Sequence, residues 1–232
     1  ILLDKHSSGG LFPYPFTFQN LMWLLFFIAM GELTFRFMES KRESQSLKKK
    51  FLPEDDRTVL VDRDLPNIRK QITSDPAVSS TPYLERLLYQ SIFHFQANHS
   101  VDSTHQLLNS MTELELHRVE LRYTLTRYLA WILPTLGFIG TVVGIGQGLT
   151  HFATLVKAGK KISLILPSVT IHLGMAFNTT IVALVMSVVV VLAMQFIQQR
   201  EEETVNASAY YCLVNFINRL YVPQKTSNGF ES

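Results

Sequence analysis

Two threonines and a serine, Thr141, Thr180 and Ser187, stand in stretches without a single Asp, Glu, Lys or Arg, from Tyr128 to Val156 and from Thr170 to Phe196. A hydroxyl both donates and accepts hydrogen bonds, so it can serve an ionised carboxylate as a donor and a protonated one as an acceptor. A carboxylate held in dry, apolar surroundings has a raised pKa, the condition for reversible protonation. These helices carry no carboxylate of their own, so a partner must bring one, or else the helices only pack. Threonine oxygens can also coordinate sodium. The competing reading of each threonine is a hydroxyl bonded to the carbonyl one turn back in its own helix. His151 and His172, near the ends of the same stretches, have the chemistry for proton access or pH sensing, against the plainer reading of interfacial packing.

Helical geometry sorts these residues onto faces. At about 100° per residue, Pro134, Gly137, Gly144 and Gly148 fall within roughly 60° of Thr141, and Gly140 belongs to the same glycine ladder. Small residues let helix backbones approach closely in lipid, so this face is expected to pack against another helix. Around Thr180, Ala176, Ala183, Leu184 and Ser187 lie within about 60°, whereas Asn178 lies about 160° away. Thr180 and Ser187 are therefore assigned to the lumen side, and Asn178 to an inter-helix hydrogen bond elsewhere.

The elements that must hold these faces are membrane helices. Of the 232 residues 47% are hydrophobic, and they concentrate in three segments, roughly Phe16 to Phe37, Tyr128 to Val156 and Thr170 to Phe196. Each is long enough to cross about 30 Å of hydrocarbon. A net charge of +2, without basic residues interleaved with aromatics, excludes nucleic acid as a partner. Cys212 is the one cysteine, so there is no internal disulfide and no cysteine metal cluster. The first segment lacks the basic leader and small-residue cleavage site of a signal peptide. An intramembrane enzyme needs paired aspartates or a Ser–His arrangement; neither is visible, and neither enzyme, cofactor nor metal is expected.

The intervals predict further helices. Residues 1–15 form a tail in which Phe12, Tyr14, Phe16 and Phe18 mark a membrane interface. Glu32 and Arg36, spaced i, i+4, predict an ion pair whose plainer reading is a pair reaching for the headgroups and whose functional reading is a charge relay. Lys41, Arg42, Lys48, Lys49 and Lys50, with Arg118, Arg122 and Arg127, outnumber Lys157, Lys160 and Lys161, which puts the N-terminus outside. Between Pro53, Pro66, Pro76 and Pro82, short helices are expected over Leu65 to Ile72 and Tyr83 to Phe95, the latter with Leu84, Leu87, Leu88, Ile92 and Phe95 on one face. His94, His99 and His105 scatter over a helix end, a loop and a helix start, which argues against a shared metal. A long helix is expected from near Asp102 and Ser103, both capping types, unbroken to Pro134 and on to Val156. Gly159 breaks it, Pro167 and Ser168 mark the next start, and the tail after Pro223 is expected to be disordered.

The second and third apolar segments resemble the MotA/TolQ/ExbB family of ion-channel subunits. Pro134, Leu136, Gly137, Phe138, Ile139, Gly140, Thr141, Val142, Val143 and Gly144 match its Pro-x-Leu-Gly-Leu-x-Gly-Thr-Val-x-Gly pattern almost throughout, and Ala176 to Leu184 match its Ala-x-x-x-Thr-x-x-Gly-Leu stretch, with Thr180 on the threonine and Ala183 in place of glycine. Met175 stands where TolQ and ExbB often have glutamate. The resemblance runs from the helix before Pro134 to about Val222.

It implies an all-α inner-membrane protein with three transmembrane helices, two of them long and extending into the cytoplasm. Such chains assemble as a pentameric ring around a dimer of single-span MotB/TolR/ExbD-like subunits whose membrane aspartate carries the ion. The expected layout is a periplasmic tail at 1–15, membrane helices at 16–38, 128–156 and 170–199, a cytoplasmic helical region at 39–127, a periplasmic connection at 157–169, and a cytoplasmic helix and tail at 200–232. The implied function is a proton channel or stator subunit that converts ion motive force into mechanical work. The alternatives are a sodium-driven motor and a non-conducting scaffold. The short insertion from Glu39 to Ser100 points toward the TolQ/ExbB type.

Overall fold

The computed structural model describes residues 18–49, 51–52, 60, 63–73 and 82–221. The aromatic residues Phe12, Tyr14 and Phe16, together with Lys50, Pro53, Pro76 and the tail after Pro223, lie outside the described residues. Six α-helices run in chain order: α1 (Phe18–Ser46), α2 (Leu65–Thr73), α3 (Tyr83–Asn98), α4 (Val101–Arg122), α5 (Thr124–Lys157) and α6 (Ile162–Asn215), followed by a 3-10 turn at Ile217–Arg219. The described residues contain no strand beyond a single bridge between Leu60 and Leu220. Three helical runs are long and apolar enough to span a membrane: Phe18–Ser46, Val101–Lys157 and Ile162–Arg219. The all-α membrane architecture expected from the sequence is therefore the architecture found.

Two boundaries differ from expectation, each for a local reason, and one long run holds. The helix expected to run on through residue 123 does so: Val101–Lys157 is one helical run, with the single turn residue Tyr123, itself in the right-handed helical region, between α4 and α5. Tyr123 is fully buried, and the Arg36 guanidinium lies 5.4 Å from its ring centroid. A cation over an aromatic face is attracted by the ring quadrupole, so this contact ties α1 to Tyr123. The cap of α4 is Ser100, whose Oγ accepts the Ser103 N–H at 3.3 Å, rather than Asp102 or Ser103. Finally, α6 starts at Ile162, ahead of Pro167, which sits inside the helix, so the α5–α6 connection is only Ala158–Lys161. Gly159, at φ +74°, makes the turn there, a conformation that L side chains disfavour.

The chain divides into two compact units, one of residues 1–36 and 122–197, the other of residues 37–121 and 198–232. In the first, α5 and α6 lie antiparallel. Val169, Ala176, Ala183, Val190 and Ile197 are buried along α6 at intervals of seven. That heptad spacing is the signature of a seam between closely packed helices. On α1, Met22, Ala29 and Leu33 are buried, and the Glu32–Arg36 ion pair forms at 2.6 Å.

In the second unit α3 supplies the core, with Leu84, Leu87, Leu88, Ile92 and Phe95 all buried as their spacing predicts. Its N-terminus follows Pro82, which has no side-chain acceptor for capping. The Glu43 carboxylate takes that place by accepting the Tyr83 N–H at 2.7 Å. Burial raises the Glu43 pKa, against the lowering effects of that hydrogen bond and of Arg86. Around it, Arg86 pairs with the buried Glu115 at 2.7 Å and Lys49 with the buried Glu85 at 3.3 Å. His99 closes α3 in the left-handed region at φ 48°, its N–H donating to Phe95 O at 2.7 Å. The bridge at Leu60 pins the insertion to the chain end, through Leu60 N–H to Arg219 O and Tyr221 N–H to Leu60 O.

The Tyr83 phenol, buried and donating to Thr112 Oγ1 at 3.2 Å, has its pKa pushed up to about 12 by burial. The fold therefore holds this proton more tightly than the unfolded chain, whose ordinary value is 10.0. Stability contributed here is present below pH 10 and is lost as pH rises from 10 toward 12. Tyr83→Phe is expected to lower stability at neutral pH by about 1 kcal/mol through the lost hydrogen bond. Its deficit relative to the unmodified chain is expected to shrink across that alkaline window, as read by denaturant unfolding at stepped pH.

Candidate functional site

The α5–α6 seam is built from small residues opposed in antiparallel register. A methyl group placed on Gly137 would strike the Ala183 methyl, one on Gly144 would lie 2.7 Å from the Ala176 Cβ, and one on Gly148 would lie 3.4 Å from the His172 Cβ. As the α5 position steps back from 148 to 137, its α6 neighbour steps forward from 172 to 183, so the two helices keep one pitch. Gly140 is turned partly aside: its added Cβ would meet Thr179 Cγ2 at 3.0 Å and Phe18 Cβ, on α1, at 3.9 Å. Gly146 and Gly174 face open space within the chain.

The close approach brings the two threonines together. Thr141 Oγ1 and Thr180 Oγ1 are hydrogen-bonded to each other across the seam. Thr141 Oγ1 also lies 3.1 Å from its own-helix Gly137 O and 3.1 Å from Ala176 O on α6, and Thr180 Oγ1 lies 3.0 Å from Gly137 O. The own-helix bond of the plainer reading is thus present for Thr141, and three inter-helix contacts are added to it. Carbonyl oxygens only accept, so two hydroxyl protons are shared among four oxygen–oxygen contacts. When Thr180 donates to Gly137 O, Thr141 can donate to Thr180; when Thr141 donates to Ala176 O, Thr180 can donate to Thr141. A rotation of each hydroxyl converts one pattern to the other without moving a heavy atom.

Ser187 and Pro134 form a second linkage. Pro134 lies inside α5 without kinking the chain into a new helix. A proline has no N–H, so the carbonyl four residues back, that of Ala130, loses its helical donor. Ser187 Oγ on α6 donates to that same oxygen at 2.8 Å. In an apolar setting an unsatisfied carbonyl is costly, and the serine supplies the missing donor. Ser187 shares the buried seam with Ala183, while Leu184 is exposed, so the face expected around Thr180 is split between seam and surface. Asn178 is exposed, turned away from the threonines as its angle requires. His151 and His172 lie with ring centroids 5.3 Å apart and planes tilted, toward the α5–α6 connection.

The Ser187–Ala130 bond escaped the sequence reading, although its signal was present: a proline within a membrane helix announces an orphaned carbonyl one turn earlier. No local pattern, however, names which residue of another helix will answer it.

This seam lies within the part of the chain that carries the family pattern. Residues 80–209, more than half of the chain, match the MotA/TolQ/ExbB proton channel family. The chain belongs to that family. The match begins upstream of α3, earlier than the resemblance in the glycine ladder alone suggests. MotA/TolQ/ExbB members are channel and transport-coupling proteins of membrane complexes, working with other subunits. No curated protein and no solved structure gives a match.

Small-residue packing and the Pro134–Ser187 linkage each make a distinct prediction. Gly137→Ala is expected to destabilise the protein in detergent by about 1–3 kcal/mol through overpacking, and Ala183→Gly is expected to rescue it. Gly146→Ala, which meets nothing within the chain, is expected to be neutral or stabilising. Ser187→Ala is expected to cost about 1 kcal/mol where Pro134 is present and close to nothing in a Pro134→Ala background, where the helix N–H is restored. Thermal unfolding of the four members of that double-mutant cycle reads the coupling.

Proposed function

We propose that the chain is the ring-forming, ion-conducting stator subunit of an inner-membrane motor, driven by protons and coupled to a single-span partner of the MotB/TolR/ExbD kind. The observation that carries this reading is the Thr141–Thr180 hydroxyl pair in a seam whose helices carry no Asp, Glu, Lys or Arg between Tyr128 and Val156 or between Thr170 and Phe196. Charge must come from outside the seam, and a membrane aspartate on the partner supplies it. Desolvation raises the pKa of that aspartate, so it can take and release a proton within the membrane. Both hydroxyl protons are spent within the seam in either pattern, so a hydroxyl that serves the ionised aspartate turns away from its seam acceptor, while the hydroxyl oxygens can accept from the neutral acid.

In this reading Thr141, Thr180 and Ser187 line the ion pathway, Ser187 at the level of Pro134. Pro134, Gly137, Gly140, Gly144, Gly148, Ala176 and Ala183 hold the helices around it. The membrane segments are 16–38, 128–156 and 170–199, with the N-terminus periplasmic and the C-terminus cytoplasmic. The excess of Lys and Arg on the 39–127 side supports that orientation. Association between copies, five in the ring the family resemblance implies, is supported by the outward face of α6, where Asn178 is exposed beside Gly174 and the exposed Phe177 and Ile181. An amide and a small residue on an apolar helix face suit a second helix better than lipid.

Thr141→Val and Thr180→Val, assayed with the partner subunit present, are expected each to reduce ion flux by about tenfold or more, since valine matches the shape without the hydroxyl. Thr→Ser at either position is expected to retain flux. Unchanged flux in both valine variants removes the pathway assignment, and absence of flux from the unmodified chain with the partner present identifies a non-conducting scaffold. Flux that follows sodium concentration at constant pH identifies a sodium-driven motor.

A further inference from the structure

The two histidines toward the α5–α6 connection form an arrangement that ion conduction through the threonines does not use. His151 on α5 and His172 on α6 have ring centroids 5.3 Å apart with planes inclined at 35°. The register explains the meeting. Gly148 presents no side chain to His172, and His151 follows Gly148 by one turn on α5, so the imidazole of His172 has room beside that of His151.

His172 is also held in one tautomer. Its Nδ1 lies 2.7 Å from Ser168 O, the carbonyl one turn back. A carbonyl only accepts, so Nδ1 carries the proton in that bond, and the Nε2 lone pair of the neutral ring is left available. A ring nitrogen fixed by a backbone carbonyl on its other side is the usual support for a metal-ligating histidine.

The ring separation agrees with joint ligation. At a metal–nitrogen distance of about 2.0–2.1 Å and a tetrahedral angle, two imidazoles on one ion place their centroids about 5.2 Å apart. We propose that His151 and His172 form a two-imidazole site for a borderline divalent transition ion, Zn2+ or Cu2+, bridging α5 to α6. Among the described residues no group of three or more His, Cys, Asp or Glu is placed to hold a metal ion. The protein thus supplies two nitrogen ligands, and the remaining coordination positions are open to water or an external ligand. The neighbouring apolar stretches contain no carboxylate, which disfavours Ca2+ and Mg2+, ions that need oxygen ligands. A bound ion ties the two helices together beside their shortest connection.

The test is metal titration of the full chain in lipid nanodiscs, with Zn2+ followed calorimetrically and Cu2+ by electron paramagnetic resonance. The expected result is one Zn2+ event that His151→Gln and His172→Gln each weaken by about tenfold or more, that the double variant weakens no further, and that excess Mg2+ does not displace. The Cu2+ spectrum lost on substituting either histidine should show two coordinated nitrogens. Single variants that stay within about twofold of the unmodified chain, strictly additive losses, or a one-nitrogen difference spectrum would overturn the proposal. Thr141→Val keeps both histidines and is expected to bind Zn2+ as the unmodified chain does, so failure of the metal site and failure of the ion pathway read out separately.

Discussion

Close backbone contact between α5 and α6 is the constraint on which the first unit depends. Gly137 against Ala183 and Gly144 against Ala176 leave no room for larger side chains, and that proximity puts each helix's carbonyls within reach of the other's hydroxyls. In an apolar medium those carbonyls and hydroxyls have few other partners. The seam consequently satisfies itself: Thr141 and Thr180 serve Gly137 O and Ala176 O, and Ser187 serves the oxygen that Pro134 orphans. Packing and polar chemistry are one arrangement here, since widening the gap by a methyl group would break both.

The second unit follows a different logic. Its core is the aliphatic face of α3, and its charged residues are drawn partly inside and paired, with Glu115 between Arg86 and Arg118 and Glu85 beside Lys49. Glu43 caps a helix to which it does not belong, because Pro82 cannot. This is water-exposed protein chemistry, in which burial of an ionisable group is tolerated when hydrogen bonds or opposite charges compensate it. The same long helices, α1 and α6, contribute residues to both units, and their composition changes from apolar to charged where the assignment of residues changes, at Arg36 to Phe37 and at Ile197 to Gln198.

Much of this was legible in the sequence where periodicity carried the information. The glycine ladder around Thr141, the placement of Ala176 and Ala183 with Thr180, and the turning away of Asn178 follow from 100° per residue. The α3 stripe follows from the same rule. What was not legible depended on contacts between distant segments. Tyr123 is covered by Arg36, eighty-seven positions earlier in the chain, a pairing that no local pattern announces. Pro167 looked like a boundary and is helical, because it lies only five residues into α6, while Pro134 is carried within α5 with Ser187 answering its orphaned carbonyl. The cap of α4 was misplaced by two or three residues because Ser100, Asp102 and Ser103 are all competent and only geometry chooses among them.

The antiparallel register has a mechanical corollary. Gly137 and Gly144 are notches seven residues apart, and Ala183 and Ala176 are teeth with the same spacing. Sliding one helix past the other by a residue or a single turn lifts the teeth out of the notches and onto bulkier neighbours. Both teeth next find a helix face of the same orientation only after two full turns, a travel of about 10 Å. The pair therefore behaves as a keyed shaft: axial or twisting load applied to α5 passes to α6 through interlocked backbone rather than through yielding side chains, without lost motion between them.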